Sequence, residues 1–133
     1  MNNQVIGASP ERVVGFTVPG EPRSKQRPRV TQRGTFTPKV TLEQERRVLD
    51  AWIASGERPF EYWMVIDIDF YLGTRYRKDI DNMAKLVLDA LNKHAFEDDH
   101  AVVGLNLRKI NTDKDNARTV VRLREVILWA HER

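Results

Sequence analysis

The sequence contains no cysteine, which excludes disulfide bonds and thiolate metal sites. It has no apolar run that approaches membrane-spanning length, and its first residues lack the basic and apolar segments of a secretion signal. There is no internal repeat, no low-complexity tract, no glycine-rich phosphate loop and no arrangement typical of a Ser/His/Asp triad. These absences favour a cytoplasmic protein that does not bind a membrane.

The chain of 133 residues is long enough to bury one core, so we expect a single domain over residues 1–133. Residues 1–10 are polar and end in a proline, and this segment is expected to be a flexible arm. The net charge of +3 and the isoelectric point of about 9.4 are compatible with a nucleic-acid partner but do not identify one.

The hydrophobic pattern predicts strands over residues 13–18, 63–71, 102–110 and 118–129. The polar turn between the last two of these strands predicts that they form an antiparallel hairpin. The strand order, with one helix before the second strand and one after it, predicts the fold class. It is α+β, a single domain with a mainly antiparallel or mixed β-sheet packed by two α-helices.

The first of the two helices is expected to begin with a capping box made by Thr41 and Gln44, and to end near Ala54. Its core-facing stripe is expected to consist of Leu42, Val48, Leu49, Trp52 and Ile53.

The second helix is expected over residues 82–93, where apolar residues form one face and polar residues the other. Asp81 directly precedes it and is expected to be its N-cap, where the helix dipole favours the charged carboxylate. Asp79 lies two residues upstream in an extended segment, so its side chain is expected to point to the same side as that of Asp81.

A second acidic pair, Asp98 and Asp99, follows this helix. Because Mg²⁺ binds oxygen ligands, Asp79 and Asp81 together with one residue of the second pair would suffice to hold it. Lys85, one turn after Asp81, would then place a cation where it can neutralise charge on a phosphate or orient a water molecule.

Two other interpretations of the acidic residues stay open. Asp81, Lys85 and Asp89 are spaced i, i+4, i+8, which is also the spacing of an ordinary surface ion-pair ladder. Asp67 and Asp69 form another Asp-x-Asp pair on the polar face of the strand at 63–71, and they are a rival metal site.

Basic residues are concentrated in the segment from residue 23 to residue 39, which has no acidic residue and is broken by two prolines and a glycine. This composition predicts a basic loop that either contacts DNA phosphates or is simply solvated. The basic residues are Arg23, Lys25, Arg27, Arg29, Arg33 and Lys39.

The order of several motifs resembles the RusA family of Holliday junction resolvases. Residues 78–82 read Lys-Asp-Ile-Asp-Asn, and they are followed by a lysine one turn later, by Leu-Asp-Ala-Leu, and by Asp-Asp before an apolar strand. Upstream, residues 18–22 (Val-Pro-Gly-Glu-Pro) and 25–29 (Lys-Gln-Arg-Pro-Arg) are similar to the Gly-x-Pro and Lys-x-Arg-Pro-Arg segments of the family. The resemblance covers about residues 14–110.

The sequence departs from the family pattern at two places. Lys78 stands where the family often has proline, and His100 and Ala101 follow the acidic pair where Ser-Gln is common. These departures leave the choice between Asp98 and Asp99 open.

The resemblance implies a crossover junction endodeoxyribonuclease that depends on Mg²⁺, with Mn²⁺ able to substitute. It would be a homodimer that resolves four-way junctions by paired symmetric nicks in DNA recombination and repair, inside a bacterial or phage-infected cell. The implied catalytic residues are Asp79, Asp81, Lys85 and Asp99, and the implied metal ligands are Asp79, Asp81, Asp99 and Asp98. The expected DNA-binding residues are Lys25, Arg27, Arg29, Arg33, Arg75, Arg77 and Lys78.

The sequence offers alternatives to this function and no firm dimer interface. The alternatives are a nucleic-acid-binding protein without catalysis, or a metal-dependent nuclease that acts on forks, flaps or RNA. The aromatic residues considered for the dimer interface are Trp63, Trp129 and Phe96.

Overall fold

A computed structural model describes residues 12–74 and 77–126 of the chain. The helices and strands of these residues, in chain order, are β1 (Val13–Pro19), β2 (Arg29–Thr31), β3 (Gly34–Phe36), α1 (Lys39–Ala54), β4 (Met64–Leu72), α2 (Ile80–Leu91), β5 (Val102–Asn111) and β6 (Arg118–Glu125). Short 3-10 turns at Asp99–Ala101 and Lys114–Asn116 precede β5 and β6. The expected arm at residues 1–10 and the interface candidate Trp129 lie outside the described residues.

The main sheet has four strands in the order β1-β6-β4-β5. β4 pairs in parallel with β5 through the crossover helix α2, while β6 runs antiparallel to both β4 and β1. A separate two-stranded sheet is formed by β2 and β3. The predicted α+β class, with a mixed sheet packed by two helices, is confirmed.

The predicted hairpin between β5 and β6 is wrong, because β4 lies between these two strands and pairs with each of them. β4 is the most apolar strand, with Met64, Ile66, Ile68 and Phe70 almost fully buried, and it takes one of the two inner positions of the sheet, between β6 and β5. The turn at residues 111–116 steps across the end of β4, where the Thr112 N–H donates to the Leu72 carbonyl (2.9 Å). Crossing one strand requires a span of only about 10 Å, which six residues easily cover.

The helices cover one face of the sheet and build the core with it. α2 contributes its buried residues Leu86 and Leu91, while α1 contributes Val48 and Trp52, whose indole ring meets the ring of Phe16 edge-on at 6.2 Å. The opposite face of β4 and β6 is open and carries charged side chains. The acidic residues of β4 lie on this open face, so one face of the sheet builds the core and the other carries charged side chains.

The start of α1 differs from the expected one. The helix begins at Lys39, and its N-cap residue is Pro38, whose ring restricts φ to −57° and whose ψ is 147°. No side chain caps this helix. Thr41 is therefore inside the helix, fully buried, and its hydroxyl accepts the backbone N–H of Gln26 (3.1 Å). The predicted capping box is wrong, and the core-facing stripe runs through Thr41 and Gln44, while Leu42 and Ile53 are exposed.

The basic loop contains a small hairpin that the sequence did not predict. β2 and β3 are joined by a two-residue turn, and all six of their residues are exposed. Val30 is 81% exposed, so this hairpin buries no apolar core of its own. A two-stranded hairpin of this kind is marginally stable by itself.

Two further expectations can be compared with the described part of the chain. Phe96 is 1% exposed and belongs to the core, so it is not available for a dimer interface, whereas Trp63 is 46% exposed. Within the described ranges, no helix is long and apolar enough to cross a membrane.

Candidate active site

The first turn of α2 presents the predicted acidic pair to solvent. Asp79 is the N-cap residue, with extended backbone angles (φ −72°, ψ 126°), and its carbonyl accepts the Met83 N–H (3.1 Å). The expectation that Asp81 is the N-cap is wrong by two residues, because the helix already begins at Ile80. Asp81 therefore lies in the first turn, where the positive end of the helix dipole favours its negative charge.

Both carboxylates of this pair are exposed and only lightly engaged. An Asp81 oxygen accepts the backbone N–H of Asn82 (3.0 Å), and the Asn82 amide is 3.5 Å from an Asp79 oxygen. Lys85 is exposed one turn later on the same helix. Among the described ion pairs Lys85 has no partner, and Asp89 pairs with Lys25 instead, so the alternative surface ladder does not form.

Glu21 holds the connection that leads from β4 to Asp79. Its carboxylate accepts the Gly73 N–H (3.0 Å), the Thr74 hydroxyl (3.1 Å) and the Lys78 ammonium (3.0 Å), which lie at the two ends of the connection. Lys78 also donates to the Pro22 carbonyl (2.8 Å). Glu21 thus fixes the chain directly before the acidic pair.

The ionisation of Glu21 follows from these contacts. Partial burial acts to raise the pKa of Glu21, but the hydrogen bonds from Lys78, Gly73 and Thr74 and the charge of Lys78 outweigh it and lower the pKa. The carboxylate is therefore charged at neutral pH. Sequence reasoning missed Glu21, because a single acid between a glycine and a proline has no pattern that points to this role.

Lys25 ties the basic loop to both helices. Its ammonium lies 2.5 Å from an Asp89 oxygen on α2 and 3.1 Å from a Glu45 oxygen on α1. The backbone N–H of Lys25 also donates to the Asn82 carbonyl (3.1 Å). Burial acts to lower the pKa of Lys25, but the hydrogen bonds that its ammonium donates to Asp89 and Glu45 outweigh burial and raise the pKa. Its described partners are thus protein groups, and its role as a DNA contact stays a prediction.

Replacing Lys25 separates these two roles. We expect Lys25→Met to lower the free energy of unfolding by about 1 kcal/mol, because two partly buried carboxylates lose their shared cation. In thermal denaturation this corresponds to a few degrees. The control is Arg27→Met, which removes an exposed cation from the same loop and should leave the melting temperature unchanged. If Lys25→Met melts at the wild-type temperature but binds DNA more weakly, as Arg27→Met is expected to, then Lys25 is a DNA contact and not a structural residue.

The second acidic pair lies at the start of β5. Asp98 caps the short 3-10 turn, where its carboxylate accepts the Asp99 N–H (2.7 Å) and lies 3.3 Å from His100 Nδ1. The hydrogen bond from His100 is the main cause that lowers the pKa of Asp98. Asp98 is therefore engaged in local structure, whereas Asp99 is exposed to solvent.

The two acidic pairs do not meet within one chain. The first pair opens α2 and the second follows it, and a helix of 12 residues is about 18 Å long. β5 indicates a similar separation between the two acidic pairs. Lys109, near the end of β5, donates to the Lys78 carbonyl (3.0 Å) beside the first pair, while the second pair precedes the start of β5. Seven strand residues separate these points, which is about 23 Å. Accordingly, the described residues contain no group of three or more acidic or histidine side chains placed to hold a metal ion.

The first pair nevertheless has the donor chemistry for Mg²⁺. Asp79 and Asp81 are hard oxygen donors at an exposed helix start, and their hydrogen bonds leave oxygen lone pairs available. Mg²⁺ commonly takes one or two carboxylates and completes its coordination with water and phosphate oxygens. The residues therefore fit part of a magnesium site, and whether the predicted set binds metal stays a prediction.

The rival pair on β4 is neutralised by arginines. Asp67 accepts from Arg124 Nε (2.8 Å), from Arg122 Nε (3.3 Å) and from the Asn106 amide (2.7 Å). Asp69 receives two hydrogen bonds from Arg108, each of 2.9 Å. These carboxylates lie on the open face of the sheet with their charge already balanced, which disfavours them as a metal site.

The Asp67 cluster makes the stability depend on pH. Burial acts to raise the pKa of Asp67, but the hydrogen bond from Arg124 and the other donors lower it below its usual value of 3.8. A lowered folded-state pKa contributes stability that is present above about pH 3.8 and lost as the pH falls further.

We therefore expect Asp67→Asn to destabilise the protein by about 2 kcal/mol at pH 7, because Arg124 loses its carboxylate partner. The difference from wild type should shrink below about pH 3.8, and urea denaturation at several pH values measures it. Exposed Asp115 supplies the control substitution Asp115→Asn. A deficit that is equal at pH 7 and pH 3 would show that the charge of Asp67 does not stabilise the fold.

The remaining expected DNA contacts fall into three groups. Arg27, Arg29 and Arg33 are exposed on or beside the β2 and β3 hairpin, and Arg77 is exposed just before the first acidic pair. Lys78 is mostly buried against Glu21. Arg75 lies outside the described residues.

The candidate site is an exposed acidic pair at the start of α2, with a lysine one turn later and the exposed Arg77 just before it. Together with the mixed sheet of this α+β fold, these residues are typical of an enzyme that cleaves phosphodiesters. A family model described as Endodeoxyribonuclease RusA matches residues 19–124. The chain therefore belongs to the RusA endodeoxyribonuclease family, and this membership implies the nuclease activity of a Holliday junction resolvase. A comparison with curated proteins finds no match.

Proposed function

We propose that this chain is a Mg²⁺-dependent nuclease that resolves four-way DNA junctions by paired symmetric nicks during recombination and repair. It would act in the cytoplasm of a bacterial or phage-infected cell. The observation that carries the proposal is the exposed set Asp79, Asp81 and Lys85 at the start of α2, in a chain that belongs to the RusA family. Glu21 and Lys25 support this set by holding the segments around it.

We further propose that each site is completed by a second copy of the chain. The second acidic pair is about 20 Å from the first in the same chain, so it cannot ligate the same ion there. In a two-fold dimer, Asp99 of each chain could instead join Asp79 and Asp81 of the other. A two-fold dimer also matches the approximate two-fold symmetry of a four-way junction, which needs two opposed cuts.

The roles of the residues follow from their chemistry. Asp79, Asp81 and Asp99 would hold the metal, with Asp98 retained as the cap that orients Asp99. Bound Mg²⁺ would lower the pKa of a water molecule and polarise the scissile phosphodiester. Lys85 would place its ammonium near the same phosphate, where it opposes the negative charge that develops on the leaving 3′ oxygen. The products would carry 5′-phosphate and 3′-hydroxyl ends.

The arginines of the small hairpin are suited to hold the DNA backbone. Arg27, Arg29 and Arg33 are exposed, and no carboxylate pairs with them among the described residues. Such cations give an affinity that falls with salt and does not depend on base sequence.

The direct test is cleavage of a labelled synthetic four-way junction and of a linear duplex with the same arms, in Mg²⁺, Mn²⁺ or EDTA. We expect paired symmetric nicks in the junction with either metal, and none in EDTA or in the duplex. A junction that is bound but never cut with any metal would favour a binding protein without catalysis. Equal or better cleavage of forks, flaps or RNA would favour a nuclease of different specificity.

A further inference from the structure

A cavity of about 690 Å³ opens at the carboxyl ends of the parallel strands β4 and β5. Leu72 and Gly73, at the end of β4, belong to its lining. The polar groups of its lining, within the described residues, are those of Thr74, Arg77, Lys109, Asn111 and Thr112. In sheets with parallel strands, the crevice beyond the carboxyl ends is a common position for ligands.

The lining is suited to an anion. It contains two cationic side chains, Arg77 and Lys109, and no carboxylate among its described members. Glu21 lies behind Thr74, but its charge is balanced by Lys78 at 3.0 Å. Hydroxyl and amide groups can add hydrogen bonds to phosphate oxygens.

Lys109 lies between the cavity and the first acidic pair. Its ammonium donates to the carbonyl of Lys78, the residue directly before Asp79 (3.0 Å). Arg77 lies two residues before Asp79, which is a span of about 7 Å in extended chain. The cavity is therefore close to the first carboxylate of the proposed site but does not include it.

We propose that this cavity binds a backbone phosphate of the DNA strand that is cut, next to the scissile phosphate, with Lys109 and Asn111 as its specific contacts. This inference rests on the proposed function in that it takes DNA as the substrate. The cations of Arg77 and Lys109 and the polar groups of Thr74, Asn111 and Thr112 are suited to phosphate oxygens, which favours contact with the backbone. Lys109 would thus set which phosphodiester lies at the carboxylates.

The test compares wild type with Lys109→Gln and Asn111→Asp. Asn111→Asp adds a negative charge to the cavity and leaves the bond from Lys109 to Lys78 in place. Arg46→Gln is the matched control, because it removes an exposed cation of α1 that pairs with Asp50. Binding to a four-way junction and to duplex is measured in EDTA over a range of salt, and melting temperatures verify that each variant is folded.

We expect Lys109→Gln to weaken binding about three- to tenfold and to reduce the slope of log K against log salt by about 1, as the loss of one phosphate contact requires. Asn111→Asp should weaken binding at least as much, and Arg46→Gln should leave it unchanged. Ethylation of one phosphate beside the cleaved bond should weaken binding by wild type about three- to tenfold, and it should not weaken binding by Lys109→Gln further. The same slope for Lys109→Gln and Arg46→Gln would overturn the proposal.

Two further outcomes separate this inference from the proposed function. If the slope changes as expected but junctions are not cut in preference to other DNA, the phosphate site stands and the junction specificity fails. If a free nucleotide or inorganic phosphate binds in a Lys109-dependent manner while DNA binding is indifferent to Lys109, the cavity is a small-anion site and the inference is wrong.

Discussion

A mixture of two inactive variants, Asp81→Asn and Asp99→Asn, is expected to regain cleavage. In the proposed dimer each site takes Asp81 from one chain and Asp99 from the other. A dimer with one chain of each variant therefore has one site with both substitutions and one site with neither. This intact site should nick one strand of a junction, whereas either variant alone should be inactive.

The experiment isolates mixed dimers by two different affinity tags and measures nicking of a four-way junction in Mg²⁺. We expect about half the wild-type number of nicks per dimer, and unpaired nicks rather than resolved junctions. The control is a mixed dimer of Asp79→Asn and Asp81→Asn. These residues belong to the same pair, so each of its sites carries a substitution and it should remain inactive.

The outcome discriminates between arrangements of the site. If mixed dimers form but stay inactive, all ligands come from one chain, and the separation of about 20 Å must close by a conformational change. If Asp99→Asn is active by itself, Asp98 becomes the candidate ligand, and the same mixture is made with Asp98→Asn. Activity in the Asp79→Asn and Asp81→Asn control would contradict the assignment of these two residues to a single site.

Local patterns in the sequence predicted the elements well, because burial imposes a period on each of them. The alternation of residues 63–71 predicted β4 to within one residue at each end, and the apolar face of residues 82–93 predicted α2 to within two. The partners of the strands were harder to predict. Whether β5 pairs with β6 or with β4 depends on which strand takes the buried centre, and periodicity contains no such information.

The residues of the candidate site were chosen by residue type and spacing, which contain little of its geometry. Lys85 lies one turn after Asp81 on α2, as the spacing predicted, but the N-cap is Asp79 and not Asp81. The position of Asp98 and Asp99 at the other end of α2 follows only from the parallel pairing of β4 with β5. Glu21 and Asp89 were missed as supporting residues because each acts across more than 50 residues of sequence.

These supports indicate how the first pair can be both exposed and ordered. A short helix start with unpaired carboxylates has little packing of its own. Here the chain before Asp79 is held by Glu21, and the loop beside Asn82 is held by Lys25, so the order comes from neighbours. The two acids can thus keep their lone pairs for a ligand. Because Glu21 and Lys25 hold the neighbouring chain, we expect Asp79 and Asp81 to contribute to activity and not to stability.

Asp81→Asn is therefore expected to reduce junction cleavage by at least about 10²- to 10³-fold, because the proposed site loses a ligand of the metal ion that stabilises the developing charge. Because the two carboxylates repel each other without metal, the melting temperature in EDTA should be unchanged or higher. Junction binding in EDTA should also be unchanged or tighter, since one negative charge near the DNA is removed.

Cleavage rates, melting curves and binding are measured on the same preparation, with Asp50→Asn as the control. Asp50 is an exposed acid on α1 that pairs with Arg46, so its loss should not affect cleavage. The asparagine at position 81 can still accept the Asn82 N–H through its amide oxygen, and the first turn of α2 should keep its geometry. A fall of many degrees in melting temperature would instead identify Asp81 as a structural residue of the helix start, and the loss of cleavage would then follow from unfolding.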